Sequence, residues 1–309
     1  MSVPTPHAAS LARIPVRERE LEILGSRTRF WDYGPEDAAD VVVLTHGYRG
    51  DHHGLEPVVA ELDGIRIISP DLPGFGASTP LTGAPHSIAG YGRWLAAFIA
   101  ALELPAPPVV LGHSFGSMVT SHAIAEGMPA RALILVNPIT TDPKVAAGRG
   151  ITAATRAFYG VTRAMPAPVA RLWLGNWVIV QFMSMSLVQT PDPTLRRWIH
   201  EEHHRYFNGF SDPRTVTEAF AASISTDVRA AASRVSVPTV LIAGERDRIA
   251  PLSGQRSAVE LFPDARLVVA PATGHLAHYE TPGFLADAIR GFLAELPAPA
   301  GPASGDAAR

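Results

Sequence analysis

Short runs of Val, Ile and Leu closed by turn residues recur along the chain and read as buried strands. They are Val41–Thr45, Ile65–Ser69, Val109–Gly112, Ala132–Val136, Thr239–Ala243 and Arg266–Ala270. Runs without polar alternation are what a parallel sheet covered on both faces requires. Between them the apolar positions take helical spacing over Ile88–Leu102, Phe115–Glu126 and Gly254–Leu261, with a last helix over Phe284–Leu296. Strand alternating with helix predicts an α/β fold, a mostly parallel doubly wound sheet of about eight strands with right-handed crossovers. Ahead of it, Arg17–Leu24 and Thr28–Tyr33 alternate around Gly25-Ser26, which predicts an antiparallel hairpin on the sheet edge.

The alternation stops after the fourth of these runs. Residues 139–234 hold helical patterns only and three of the five tryptophans, Trp173, Trp177 and Trp198. This division predicts an N-terminal segment (1–16), a core built from 17–138 and 235–296, a helical cap inserted at 139–234, and a disordered Pro/Ala/Gly tail at 297–309. Leu172 to Pro191 carries no charge, but Asn176, Gln181, Ser184, Ser186 and Gln189 recur through it. Unpaired polar groups at that frequency oppose a membrane span. The stretch reads instead as a pair of short helices over an apolar pocket, with Trp173, Trp177 and Met183 facing substrate beside His46 and Leu276.

Composition narrows the chemistry. With 47% hydrophobic and 18% charged residues in 309, the chain is not intrinsically disordered. A net charge of −3 gives no electrostatic basis for a nucleic-acid partner. The absence of cysteine excludes disulfides, iron–sulfur clusters, cysteine-ligated zinc and a thiol nucleophile. No apolar run with a small-residue cleavage site opens the chain, so a cytoplasmic protein is expected. Its partner is expected to be a small apolar substrate, with no cofactor and no membrane span.

Gly112-His113-Ser114-Phe115-Gly116 lies directly between a predicted strand and a predicted helix. That is the setting of a nucleophile elbow, whose turn is too tight for side chains two residues before and after the serine. Thr45-His46-Gly47-Tyr48, Asp71-Leu72-Pro73-Gly74-Phe75-Gly76-Ala77-Ser78, Gly244-Glu245-Arg246-Asp247 and Thr273-Gly274-His275 each follow a strand. On these motifs and their order the chain resembles the α/β-hydrolase family, in its serine-nucleophile branch with a helical cap. The resemblance implies Ser114 as nucleophile, His275 as general base, Asp247 as the acid that orients it, and the amides of Tyr48 and Phe115 as the oxyanion hole. His46 would brace the oxyanion loop.

Rival assignments remain open at this level. Asp142 stands shortly after the strand ending at Val136, where some family members carry the acid; Asp71 has a Pro/Gly-rich loop setting that suggests a structural or pocket role. His278 shares the neighbourhood of His275. His200-Glu201-Glu202-His203-His204 satisfies H-E-x-x-H, yet no third zinc ligand follows at short spacing. His52 and His53 beside Asp51 read as loop residues. No metal is therefore expected. The reaction implied is hydrolysis of a carboxylic ester or similar acyl bond through an acyl-enzyme on Ser114. The alternatives are a carbon–carbon bond hydrolase, with Arg196 or Arg197 clamping a substrate carboxylate; a cofactor-free haloperoxidase-like enzyme; and a ligand sensor. The first is disfavoured by His113 and Leu276, where such hydrolases tend to carry Asn and Trp.

Overall fold

A computed structural model describes residues 4–140 and 157–298. Asp142 and the tail beyond residue 298 lie outside the described residues. Eight strands form one sheet: β1 (Val16–Ile23), β2 (Ser26–Tyr33), β3 (Val41–Thr45), β4 (Arg66–Pro70), β5 (Val109–His113), β6 (Ala132–Val136), β7 (Thr239–Gly244) and β8 (Ala265–Ala270). Their order is β1-β2-β4-β3-β5-β6-β7-β8, antiparallel across β1, β2 and β4 and parallel from β4 to β8. The hairpin turns at Leu24-Gly25, one residue earlier than predicted, with φ of 50° and 73°. Two left-handed residues match the twist of the flanking strands, and Ser26 is thereby released to pair with Ile23.

The strands have two buried faces because alternate apolar residues point opposite ways. Val43, Ile68, Val110, Leu133 and Leu241 pack with Trp94, Phe98 and Met118 on one side. Val42, Ile67, Leu111, Ile134 and Val240 pack with Val58, Leu285 and Ile289 on the other. The helices Ile88–Ala101 and Phe115–Ala125 supply the first layer, and Pro282–Glu295 supplies much of the second.

Between β6 and β7 the described residues form helices over 157–164, Ala167–Leu174, Trp177–Leu187, Pro193–Tyr206, Pro213–Ser223 and Arg229–Ala232, with an isolated antiparallel bridge from Phe210 to Phe75. Local chemistry sets their starts. Asn176, Asp192 and Asp212 each cap a helix through the side chain, and Pro193 and Pro213 follow two of the caps. The cap at Asn176 divides the uncharged stretch into two helices. No helix among the described residues is long and apolar enough to cross a membrane.

The loop after β3 is tied to this helical segment by Arg49, which is 1% exposed. Its guanidinium donates to the carbonyls of Leu174 (3.1 Å) and Phe207 (2.9 Å) and to Asn208 Oδ1 (3.0 Å).

Candidate active site

Ser114 occupies the turn from β5 into the helix Phe115–Ala125, with φ 51° and ψ −114°. A serine in this region is strained by about 1–3 kcal/mol, which the surrounding structure must offset. Two close approaches explain the flanking glycines. A Cβ on Gly112 would lie 2.5 Å from Gly116 O and from Thr120 Oγ1, and one on Gly116 would collide with Thr45 O. The Ser114 amide donates to Val136 O at 3.1 Å, fixing the elbow to the end of β6.

Loops after β7 and β8 bring two further side chains to the serine. Ser114 Oγ is 2.8 Å from His275 Nε2, and His275 Nδ1 is 2.8 Å from Asp247 Oδ2. Asp247 accepts further hydrogen bonds on Oδ1 from the amides of Ile249 (2.8 Å) and Ala250 (2.9 Å), and on Oδ2 from Asn137 Nδ2 (2.8 Å). Burial pushes its carboxyl up, but His275, the Ala250 amide and Asn137 outweigh that and hold it below the usual carboxylate range. An ionised Asp247 accepts only, so the imidazole proton sits on Nδ1 and Nε2 is left to accept from the Ser114 hydroxyl.

Asn137, directly after β6 with φ 44°, is wholly buried and also donates to Gly274 O at 3.1 Å. It therefore links the acid to the loop carrying His275. Sequence reasoning passed over it, although a polar residue closing an apolar strand is a signal.

The backbone N–H groups of Tyr48 and Phe115 have no hydrogen-bond partner among the described residues. Phe115 opens its helix, so its amide is one of the donors every helix leaves unpaired. Tyr48 is held by its side chain, whose hydroxyl donates to Val216 O at 3.0 Å. His46 braces this loop: Nδ1 donates to Gly47 O (2.9 Å) and Nε2 accepts from the Leu72 amide (2.8 Å). Burial lowers its pKa, in keeping with a neutral ring.

A cavity of about 260 Å3 opens over Ser114, lined also by His46, Tyr48, Phe115, Met183, His275 and Leu276. Trp173 and Trp177 do not line it, which corrects the sequence expectation. The helix Trp177–Leu187 turns Val180 and Ser184 inward, leaving Trp177 63% and Phe182 68% exposed. Trp177 stacks on His204 instead, and Trp173 on Phe158. The lining is also less apolar than expected, since His113, His203, His278, Tyr279 and Asp51 contribute to it. Arg196 donates to the carbonyls of Thr190 (2.9 Å) and Pro191 (3.2 Å), and neither it nor Arg197 reaches the cavity.

The H-E-x-x-H residues are engaged otherwise. His200 Nδ1 and His203 Nδ1 are each 2.6 Å from Ser184 Oγ, and His204 Nε2 is 2.8 Å from Gln181 Oε1. The pattern thus serves contacts between two helices. Elsewhere, Asp51, His52 and His53 each bring a potential ligand atom within 4.8 Å of the others. Asp51 accepts from the His53 amide there, while Asp71 accepts from the amides of His52 and Ala77. Asp71 shapes the loops and lies outside the cavity lining.

Known proteins resemble this chain in sequence and fold. The chain is 28% identical over 243 residues to a pimeloyl-(acyl-carrier protein) methyl ester esterase of Chromobacterium violaceum, covering 76% of this chain and 86% of that one. Among solved structures, a thermophilic esterase from Thermogutta terrifontis superposes with a TM-score of 0.71 at 24% identity, over 90% of this chain and 98% of that one. A bromoperoxidase from Bacillus anthracis superposes with a TM-score of 0.75 at 17% identity, over 90% of this chain and 100% of that one. Residues 40–282 match the family described as alpha/beta hydrolase fold, and a match of that extent places the chain in the α/β-hydrolase family.

Proposed function

We propose that this protein is a serine hydrolase that cleaves a carboxylic ester of a small substrate through an acyl-enzyme on Ser114. The observation that carries the reading is the continuous 2.8 Å relay from Ser114 Oγ through His275 to Asp247, opening on a cavity. The Chromobacterium violaceum relative is an esterase by name, which supports the bond type.

In this mechanism His275 Nε2 takes the Ser114 proton as Oγ attacks the ester carbonyl, and Asp247 stabilises the imidazolium that forms. The amides of Tyr48 and Phe115 receive the developing oxyanion; one such donor is typically worth about 2.7–4 kcal/mol of barrier. His275 then protonates the departing alcohol. Water, activated by the same imidazole, releases the acid. The helices between Ala167 and Ser223 act as a cap that closes the cavity from above.

A fluorophosphonate probe tests the nucleophile. One equivalent should label Ser114, with stoichiometric loss of ester turnover, and Ser114→Ala should abolish both. Labelling or turnover that survives the substitution refutes the proposal.

A further inference from the structure

One wall of the cavity is a succession of rings leading away from His275. The ring centroids of His113 and His275 are 5.6 Å apart, those of His113 and His278 4.0 Å, of His278 and Tyr279 4.5 Å, and of Tyr279 and His203 5.8 Å. All five line the cavity. His113 spends Nε2 on His275 O at 3.3 Å. The outer three keep polar atoms unspent. His278 Nδ1 and His203 Nε2 are buried without a hydrogen-bond partner. The Tyr279 hydroxyl makes no hydrogen bond among the described residues.

A buried polar atom without a partner is costly, and each such atom calls for an explanation. Two such nitrogens and the unpaired Tyr279 hydroxyl on one wall share one explanation: a ligand that supplies the missing bonds. Its charge follows from the surroundings. Burial pushes the His203 imidazole down to about 3 and His278 well below its ordinary value, so both are neutral at pH 7; His203, with Nδ1 engaged by Ser184, offers Nε2 alone, and His278 offers one N–H and one lone pair. Asp51, 4% exposed, lines the same cavity, and no Lys or Arg does among the described residues. A carboxylate would meet an anion and no cation. A ketone or hydroxyl would meet donors and acceptors of matching kind.

We propose that His203, His278 and Tyr279 form a subsite for an uncharged oxygen function, a ketone or hydroxyl, carried by the ester substrate. The proposal rests on Ser114 being the nucleophile, and its test is arranged to fail separately. The substrates are p-nitrophenyl hexanoate, p-nitrophenyl 5-oxohexanoate and p-nitrophenyl hydrogen glutarate, together with pentyl acetate and 4-oxopentyl acetate. A ketone on the acyl or the alcohol side should raise kcat/KM over its plain partner by about ten- to a hundredfold, the range of one or two well-made hydrogen bonds. The glutarate half-ester, close in shape to the keto ester but charged, should be the poorest of the acyl series. Tyr279→Phe, which removes a single oxygen, and His203→Phe should each collapse the keto-to-plain ratio towards one; melting curves of both variants verify the fold. No ketone preference in either pair, or a preference unmoved by both substitutions, overturns the proposal. Were Ser114→Ala to remain active, the nucleophile assignment would fall, but the ketone preference and its loss in Tyr279→Phe would still report the subsite.

Discussion

Replacing Arg49 by methionine tests how one buried cation ties the loop carrying Tyr48 to the helices beyond it. Arg49 has no carboxylate within ion-pair distance among the described residues; its charge rests on oxygen dipoles, with the Met183 sulfur at 3.6 Å and the Phe210 ring at 5.8 Å beside it. Leu174 ends one helix and Phe207 caps another, which places the guanidinium against two helix C-termini, where a cation is favoured. Methionine keeps most of the volume and removes every donor. The carbonyls of Leu174 and Phe207 and the Asn208 amide oxygen then lose a partner, at roughly 1–3 kcal/mol each for groups left buried and unpaired. Release of the desolvated guanidinium offsets part of this. The expected net loss is about 3–5 kcal/mol, the unpaired-oxygen cost less that offset. Against a typical stability of about 5–15 kcal/mol, the variant should fold but unfold at much lower urea. Arg49→Lys keeps a cation and some of the donors and should recover about half.

Arg49 also has φ 61° directly after Tyr48, a left-handed conformation that its anchored side chain helps to hold. Freed of the anchor, the Tyr48 amide should lose its aim at the oxyanion, so kcat should fall more than KM rises. Equilibrium urea unfolding followed by far-UV circular dichroism, with ester kinetics on the same preparations, measures both effects. A stability loss under about 1 kcal/mol with unchanged kcat would refute the tie altogether. A large stability loss with unchanged kcat would show that the anchor holds the helices without aiming the amide.

Two further outcomes are expected. Asp247→Asn should lower kcat by about 10³–10⁴ by leaving His275 in the wrong tautomer, whereas Asn137→Ala, which loosens the acid without removing it, should cost nearer tenfold; equal losses would contradict this ranking. Stability should fall as the medium is acidified below pH 6.5, because His113 and His203 are pushed down to about 3 in the folded chain. The unfolded chain then binds protons that the native state refuses, so their contribution is complete above pH 6.5 and is lost progressively towards pH 3. Each such group costs up to about 1.4 kcal/mol per pH unit in that window, and a chemical-denaturation midpoint that stays flat from pH 7 to 5 would disprove it.

What could be read from the chain divides along physical lines. Strands buried on both faces were legible because continuous Val/Ile/Leu runs have few other uses, and their ends shift by only a residue where the hydrogen-bond ladder runs on into a loop, as at His113 and Gly244. The elbow was legible because Gly112 and Gly116 are demanded by backbone collisions, with the other arm of the turn for Gly112 and with the end of β3 for Gly116, and both glycines fall inside one five-residue motif. Arg49 was not, since an arginine in a loop has the same local appearance whether it meets water or three buried oxygens from distant helices. The uncharged helix Trp177–Leu187 failed for the opposite reason: apolar residues on every side leave the pattern unable to choose the buried face. Packing chose Val180 and Ser184, and turned Trp177 outward. The histidine-rich helix combines both failures. Its spacing drew attention to His200 and His204 as a metal pair, because residues one turn apart share a face. His203, one position before His204, points to a different side, and that side is the wall of the cavity. Periodicity identifies which residues share a face of a helix. Only the neighbours of that face decide what chemistry it meets.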